Sequence, residues 1–569
     1  MTVPYHTLLQ TASALGCFLL LWGVGSRWRG RSWVRYVTNA GWGTLNRLAN
    51  RPGWAYAALA FYALCLLGTL SLIAWPHPVA HDEYGYRLAG DTFAHGRLVN
   101  PAHPLWRSFE TFHVVNQPFY AAKYPPAQGV VLAVGQWLGS QVIGIWLSFI
   151  GAVLAVFWLL RLTLPPIAAL AGGFLVATQP MLVLNWGMAF WGGALPMLGG
   201  ALVTGVAIVL LRSEFRRDDE IATGRLFLPL AVGLLALWYS RPYEGVVFSG
   251  PPLLVLLREA IRRLRPGGGR VLGRWLLGLL LLVGVGAGLL VYNARITGNP
   301  LTFPYAFYYE RYERARPFLF QPEGHPTADR MRPEMARFHN TERDVFRERQ
   351  TLLGLLNGLW RKLYLYGTFY TGFLFLLPLW AFLRHPKTPV ERYVLLSVGL
   401  ALAANLICTY EMPAYVAAAT GPLAVLIGWG LQTLRKHDRM PRWGRPAALV
   451  PCLVAALFGG SLLTLLVEAV VITHRQVWRD VQWRSRHEAF LQRQGGHHVI
   501  LVRYAPNHPT NREWVYNGAT IDAQPVIWAA ERDDAQNRIL MAYYPDRIIW
   551  RLQPDQRVDR LERVARDHP

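Results

Sequence analysis

The 569-residue sequence is poor in charge: Asp, Glu, Lys and Arg make up only 16% of it, whereas soluble globular domains carry about 25%. An ordinary soluble enzyme is therefore excluded. Cysteine is also scarce, and Cys17, Cys65, Cys408 and Cys452 each lie in an apolar run. This distribution predicts neither a disulfide framework nor a cysteine metal site. Hydrophobic residues make up 53% of the chain and aromatic residues 13%, which excludes a disordered chain and indicates a membrane protein.

Acidic residues are scarce as well, with 34 against 57 basic ones, and the net charge is +23. Many of the bases stand in short connections between apolar runs, as in cytoplasmic loops of membrane proteins, so we predict no nucleic-acid partner. About twelve apolar runs are long enough to cross, or nearly cross, a hydrocarbon core of about 30 Å. Their approximate limits are 8–25, 54–75, 141–160, 165–183, 195–212, 225–240, 244–257, 272–292, 363–383, 393–409, 415–434 and 446–472.

The positions of Lys and Arg orient these runs. All the basic connections fall on one side if the runs alternate, and the positive-inside rule makes that side the cytoplasm. These connections are 26–53, 212–225, 258–274, 384–392 and 435–445. The segments that then lie outside are 76–140, 184–194, 293–362 and the chain after about 473. Residues 127–139 are too short to cross comfortably and would break the alternation, which predicts an interfacial or re-entrant helix on the outer side.

The composition changes after the last apolar run. Short apolar runs at 498–504, 525–530 and 547–552 alternate with helix-compatible segments, of which 533–543 is the clearest. We therefore predict a small extracytoplasmic α/β module over 473–569. The transmembrane domain, 1–472, includes a first outer loop at 76–140 and a long outer loop at 293–362. A lid over an active site and a structured cap without substrate contact both fit the length of that second loop.

The apolar runs contain almost no ionisable residues, which disfavours a proton-coupled transporter and directs attention to the first outer loop. That loop opens with His81, Asp82 and Glu83, directly after a membrane helix, and closes with Lys123 before Tyr-Pro-Pro. Proline suits the start of a helix, and a helix N-terminus beside a lysine suits a phosphate. Taken singly, the acidic pair also fits a solvated surface, and the lysine fits an anchor to lipid headgroups.

Together these features resemble the GT-C glycosyltransferases, with the greatest likeness to the branch of the protein O-mannosyltransferases and the lipid A aminoarabinose transferase. They are also similar to family-39-like bacterial membrane proteins. The matching elements are Gly-Arg-Leu at 96–98, Lys-Tyr-Pro-Pro-Ala-Gln-Gly at 123–129, Phe-Trp-Gly-Gly at 190–193 and Arg-Pro-Tyr-Glu at 241–244. The resemblance implies a GT-C-like polytopic α-helical membrane protein of the bacterial cytoplasmic (inner) membrane. Its active site and C-terminal module would face the periplasm or exterior.

The resemblance also implies a reaction, the transfer of a sugar from a polyprenyl-phosphate donor to a hydroxyl of a glycan, lipid or protein acceptor. Early acidic residues line the catalytic cavity of that family, and its Lys-Pro element binds the donor phosphate. We accordingly expect Asp82 to be the general base, with Glu83 sharing that role or orienting the acceptor. Of these two adjacent side chains, one is expected to face the cavity. Lys123, and Arg241 as second choice, would bind the phosphate.

Further candidates for substrate binding are His81, His95, His113, Tyr120, Tyr124 and Glu244. The histidines of the first outer loop match no metal-ligand spacing, so no metal site and no certain cofactor are predicted, although a divalent metal stays possible. The C-terminal module carries aromatic residues that suit either sugar stacking or a core, among them Trp514, Tyr516 and Trp528. We expect it to cap the outer cavity and help to receive the acceptor.

Two other classes of function stay open. One is a polytopic lipid or polysaccharide transporter whose outer loops merely bind, and the other is a non-catalytic membrane scaffold with a sensing C-terminal module. The transporter needs polar groups along a path through the bilayer, which the sequence scarcely supplies. The scaffold needs no acidic pair at a helix mouth. The enzyme predicts a cavity that opens only outward, with Asp82 at its base.

Overall fold

The computed structural model describes residues 8–19, 43–212, 220–263, 269–327, 331–372, 375–385, 387–437 and 449–565. Parts of the predicted basic connections (26–42, 213–219, 264–268 and 438–445) and the end of the first apolar run (20–25) lie outside the described residues. Among the described residues, five helices are long and apolar enough to cross a membrane, and a sixth span results if the bent pair Pro166–Thr178 and Pro180–Gly187 counts as one. The twelve apolar runs predicted from the sequence also include runs that do not form helices of this length and apolar composition among the described residues.

Helices occupy the apolar runs and the outer loops. In chain order α1 to α12 are Leu8–Leu19, 43–49, Pro52–Ile73, His81–Ala94, Pro126–Trp137, Gln141–Thr163, Pro166–Thr178, Pro180–Leu182, Ala194–Leu211, Glu220–Trp238, Pro242–Arg263 and Gly269–Thr297. Helices α13 to α19 are Pro304–Tyr312, Pro333–Arg349, Leu352–Tyr366, Leu376–Leu383, Pro389–Leu406, Thr420–His437 and Leu449–Ile472. Several begin at proline, whose fixed φ and missing N–H suit the first helical position. Side chains of α3, α6, α7, α9 and α18 form the main apolar core.

The first outer loop is compact. Its strands β1 (Asn100–Pro101), β2 (Val114–Val115) and β3 (Phe119–Ala122) pair antiparallel in the order β1-β3-β2. The predicted outer helix at 127–139 is α5, and it packs on α4. A Cβ on Gly129 of α5 would lie 2.8 Å from the Cβ of Ala89 on α4, which is why a glycine is needed there. This close packing fixes the start of α5, just after Lys123, beside the start of α4.

The C-terminal residues form a small sheet with helices. After α20 (Gln476–Gln494) come β4 (His497–Val502), β5 (Val526–Ala530), α21 (Asp534–Tyr543), β6 (Arg547–Gln553) and β7 (Arg557–Arg563). The sheet order is β5-β4-β6-β7, in which β4 is parallel to β5 and β6, and β7 is antiparallel to β6. The three predicted apolar runs are strands. The fourth strand was not predicted because its sequence, RVDRLER, is mostly charged and lies at the sheet edge.

This sheet and the first outer loop share one apolar core. Leu88, Phe109, Val114 and Tyr120 from the loop pack with strand residues that include Val499, Leu501, Ile527 and Ala529. Polar contacts join the same two parts: the backbone N–H of Ala519 donates to Asp91 (2.6 Å). Trp514 and Trp528 are buried in a second core of the module. They are therefore core residues, and the alternative that they stack on sugars is wrong.

The long outer loop covers another side of the first outer loop. Tyr308 and Tyr312 of α13 and Met335 of α14 form a core with Phe112 and Val115. Arg332, just before α14, is buried and makes an ion pair with Glu513 of the C-terminal segment. The first outer loop is thus packed between the long outer loop and the C-terminal sheet.

Candidate active site

The two adjacent carboxylates at the start of α4 have different surroundings. Glu83 is fully buried, and its carboxylate accepts hydrogen bonds from the backbone N–H groups of Val79 (2.8 Å), Ala80 (3.0 Å) and Phe190 (2.9 Å). Burial raises the pKa of Glu83 to about 7. The Asp82 side chain, one position earlier, is 31% exposed. Because successive helical residues point about 100° apart, the Asp82 side chain is partly exposed while that of Glu83 is buried, and the geometry does not support a catalytic role for Glu83.

Glu83→Ala is expected to lower the free energy of unfolding by about 3 kcal/mol, because three backbone N–H groups lose their acceptor. Thermal unfolding of the detergent-solubilised protein would measure the loss. Asp344→Ala, at a carboxylate whose side chain is 63% exposed, is the matched control and should leave the melting temperature nearly unchanged. Equal melting temperatures for both variants would contradict the structural role of Glu83.

Asp82 is contacted from two sides. The Tyr124 hydroxyl donates a hydrogen bond to Oδ1 of Asp82 (2.5 Å), and Nε2 of His113 lies 3.8 Å from Oδ2. Tyr124 is held by stacking on Tyr86, with ring centres 4.2 Å apart. A Cβ on Gly85 would lie 2.8 Å from the Tyr124 ring, so the missing side chain there allows the ring its place. Within the described part of the chain, Oδ2 of Asp82 accepts no hydrogen bond and can therefore receive a proton.

Lys123 is buried in an ion pair. Its Nζ lies 3.0 Å from Oε1 of Glu313, and its ammonium is 4.6 Å from the centre of the Tyr308 ring. The other oxygen of Glu313 accepts a hydrogen bond from the Tyr410 hydroxyl (3.2 Å). Burial raises the pKa of Glu313, and Lys123 partly offsets that rise. A phosphate at Lys123 would have to share the ammonium with Glu313.

Arg241, in contrast, has no acidic partner within ion-pair distance among the described residues. It is buried at the start of α11, and its guanidinium lies 5.0 Å from the centre of the Tyr415 ring. Glu244, one turn later on the same helix, contributes to its electrostatic surroundings without an ion pair. Arg241 is therefore better prepared than Lys123 to receive an anion.

The structure brings some of the other predicted residues to this region and not others. His81 stacks on Phe112, with ring centres 4.1 Å apart, and stands beside His113. His95 is at the opposite end of α4, about 20 Å from Asp82 along the axis at 1.5 Å per residue, and contacts Asp91. Tyr120 donates a hydrogen bond to the carbonyl of Asn517 (3.1 Å) within the core shared with the C-terminal sheet. The substrate-binding predictions for His95 and Tyr120 are thus not supported by their positions.

Three residues of the long outer loop were missed by sequence reasoning. Ligand atoms of Glu313, His339 and Glu342 lie within 4.8 Å of one another, an arrangement that could hold a metal ion. Burial raises the pKa of Glu342 to about 8 and lowers that of His339 to about 4. Lys123 already neutralises Glu313, so a cation here would have to displace its ammonium. His339 and Glu342 do share a helix face, but no pattern in the sequence connects them to Lys123.

The chain shares its fold with solved structures of low sequence identity. One solved structure with this fold is ArnT of Cupriavidus metallidurans bound to undecaprenyl phosphate, at 13% identity and a TM-score of 0.52. The alignment covers 89% of this chain and 94% of ArnT. The apo state of the same protein gives 13% identity, a TM-score of 0.50 and the same coverage. The predicted resemblance in fold is confirmed. No protein-family model and no curated protein matches this chain.

Proposed function

We propose that the protein transfers a sugar from a polyprenyl-phosphate donor to an acceptor hydroxyl at the outer face of the membrane. The observation that carries the proposal is Asp82: a partly exposed carboxylate held by Tyr124, with Lys123 adjacent to Tyr124 and with Arg241 near Tyr86, the ring on which Tyr124 stacks. The fold shared with ArnT, which binds undecaprenyl phosphate, supports the same class of donor.

In this reaction the acceptor hydroxyl gives its proton to Oδ2 of Asp82 while its oxygen forms a bond to the anomeric carbon of the sugar. The bond from that carbon to the phosphate oxygen breaks, and polyprenyl phosphate leaves with the electron pair. Arg241 and Lys123 would offset the negative charge that develops on the leaving phosphate. Tyr124 keeps its hydrogen bond to the other oxygen of Asp82 and so orients the carboxylate.

The isoprenoid chain of the donor needs an apolar channel. A cavity of about 540 Å³ lies between α7, α18 and α19, and nearly all of its lining is apolar. Tyr370 stands on this lining and donates a hydrogen bond to the carbonyl of Pro413, two residues before Tyr415. Because Arg241 lies over Tyr415, a chain in this cavity would bring its phosphate end toward Arg241.

The acceptor would be received by all three outer parts of the chain. A cavity of about 490 Å³ is lined by Arg107 of the first outer loop, Arg332 and Glu334 next to α14, and Arg503 and Glu531 of the C-terminal module. The last two residues follow the carboxyl ends of β4 and β5, where open parallel sheets commonly bind ligands. The arginines and carboxylates that line this cavity can form hydrogen bonds with the hydroxyl groups of a glycan.

Arg503→Ala is expected to raise the KM for the acceptor about threefold to tenfold, the range for one lost hydrogen bond, with unchanged saturation by the donor. The side chain is 52% exposed and pairs with Glu531, so the fold should survive. Steady-state kinetics with each substrate varied in turn would measure the split. Arg560→Ala, on the outer edge strand with a side chain 60% exposed, is the control. An unchanged acceptor KM in Arg503→Ala would remove this cavity from the acceptor path.

Mass spectrometry tests the proposed function itself. Surface glycans and lipid-linked sugars would be compared between cells that express the wild-type protein, cells without it and cells with Asp82→Asn. Loss of one glycan modification together with accumulation of its lipid-linked sugar is expected in the last two. Identical profiles in all three would contradict a transferase and favour the transporter or the scaffold.

A further inference from the structure

His113 has an unusual backbone conformation. With φ of +62°, it is the single non-glycine residue with positive φ in the ranges that the structure describes. A residue with a side chain adopts this left-handed region rarely, and such strain persists where the surroundings hold it, often at functional sites. Glycine would remove the strain, so the histidine side chain must itself be useful at this position.

Two hydrogen bonds made by the N–H and the carbonyl of His113 hold this backbone conformation. The N–H of His113 donates to the Tyr308 hydroxyl (3.0 Å), and its carbonyl accepts from the backbone N–H of Lys123 (3.1 Å). The first bond comes from the long outer loop, and the second extends the pairing of β2 with β3. His113 is therefore fixed by the same elements that place Lys123.

The result is an imidazole aimed at Asp82. Its Nε2 lies 3.8 Å from Oδ2, the oxygen that the Tyr124 hydrogen bond leaves open. The ring is buried, and its Nδ1 has no hydrogen-bond partner within the described residues. The ring therefore faces the Asp82 carboxylate, at a distance slightly longer than a hydrogen bond.

We propose that His113 is a positioning residue for Asp82: the Tyr124 hydroxyl holds Oδ1 by a hydrogen bond, and the buried imidazole stands beside Oδ2 and limits rotation of the carboxylate, so that Oδ2 faces the acceptor hydroxyl. The inference rests on the proposed function, because it gives Asp82 the role of general base. The ring does not carry the proton away. Burial and then the positive charge of Lys123 hold the pKa of His113 well below its ordinary range, with smaller contributions from His81 and His339.

His113→Gly tests the proposal, because glycine accepts the backbone conformation without strain. We expect a melting temperature below that of the wild type, because the buried ring leaves a cavity. The KM for the donor should be unchanged, and kcat should be lower by about tenfold to a hundredfold through misplacement of the carboxylate.

His113→Gln supplies the matched rescue. The amide nitrogen of glutamine lies near the position of the imidazole Nε2, the atom beside Oδ2 of Asp82, so kcat should recover at least in part. A wild-type kcat in His113→Gly, or a kcat in His113→Gln as low as that of His113→Gly, would overturn the proposal. If Asp82→Asn is inactive while His113→Gly is normal, this inference alone fails. If Asp82→Asn is fully active, the proposed function fails first.

Discussion

Asp82→Asn is expected to leave the protein folded and inserted in the membrane while lowering the rate of sugar transfer by at least about a hundredfold, the lower range for loss of a general base. The amide has the shape of the carboxylate and can still accept the hydrogen bond from Tyr124. It cannot take the proton of the acceptor hydroxyl. Turnover by purified protein, with lipid-linked donor extracted from the native membrane, measures the effect, and thermal unfolding verifies the fold.

Two control variants make the result specific to Asp82. Glu83→Gln removes the adjacent carboxylate, which is buried on three backbone N–H groups, so its main effect should be on stability. Asp344→Asn, at an exposed carboxylate, should change neither property. Near-normal turnover by well-folded Asp82→Asn would end the assignment of this residue as the base.

The sequence predicts the positions of the acidic pair and of Lys123 well, because each belongs to a short motif next to an apolar run. An acidic pair directly after an apolar run and a lysine before two prolines place both motifs on the outer side, and the structure puts Asp82 near the start of α4 and Lys123 just before α5. Helical periodicity predicts that Asp82 and Glu83 diverge. It does not predict which one is buried, because that depends on the backbone N–H of Phe190, far away in the chain.

Long-range partners are the part that local patterns miss. Glu313 and Lys123 are separated by 190 positions, and the conformation of His113 depends on Tyr308, 195 positions away. The apolar runs of the C-terminal segment predicted three of its four strands. The core that its sheet shares with the first outer loop could not be predicted, because neither segment contains a pattern that points to the other. Because of that core, deletion of the C-terminal module would expose apolar residues of the first outer loop and would therefore disturb donor binding as well as acceptor binding. The single substitution Arg503→Ala separates these effects.

Lys123→Ala is expected to have the second largest effect, on stability and donor use together. The change leaves Glu313 buried without its ion-pair partner, which costs about 3 to 5 kcal/mol of unfolding free energy. Loss of a charge-assisted hydrogen bond to the donor phosphate, about 1.5 to 3 kcal/mol, should raise the donor KM about tenfold to a hundredfold. Thermal unfolding and donor saturation curves measure the two losses separately.

The double variant Lys123→Ala/Glu313→Gln separates the two roles of Lys123. Glutamine removes the unpaired buried charge, so the melting temperature should recover, whereas the donor KM should stay high because the cation is still missing. Glu313→Gln alone frees the ammonium that Glu313 holds at 3.0 Å, and its donor KM should fall below that of the wild type. Recovery of donor saturation in the double variant would instead make Lys123 a structural partner of Glu313. The phosphate would then bind to Arg241, the cation that meets no acidic partner at ion-pair distance among the described residues.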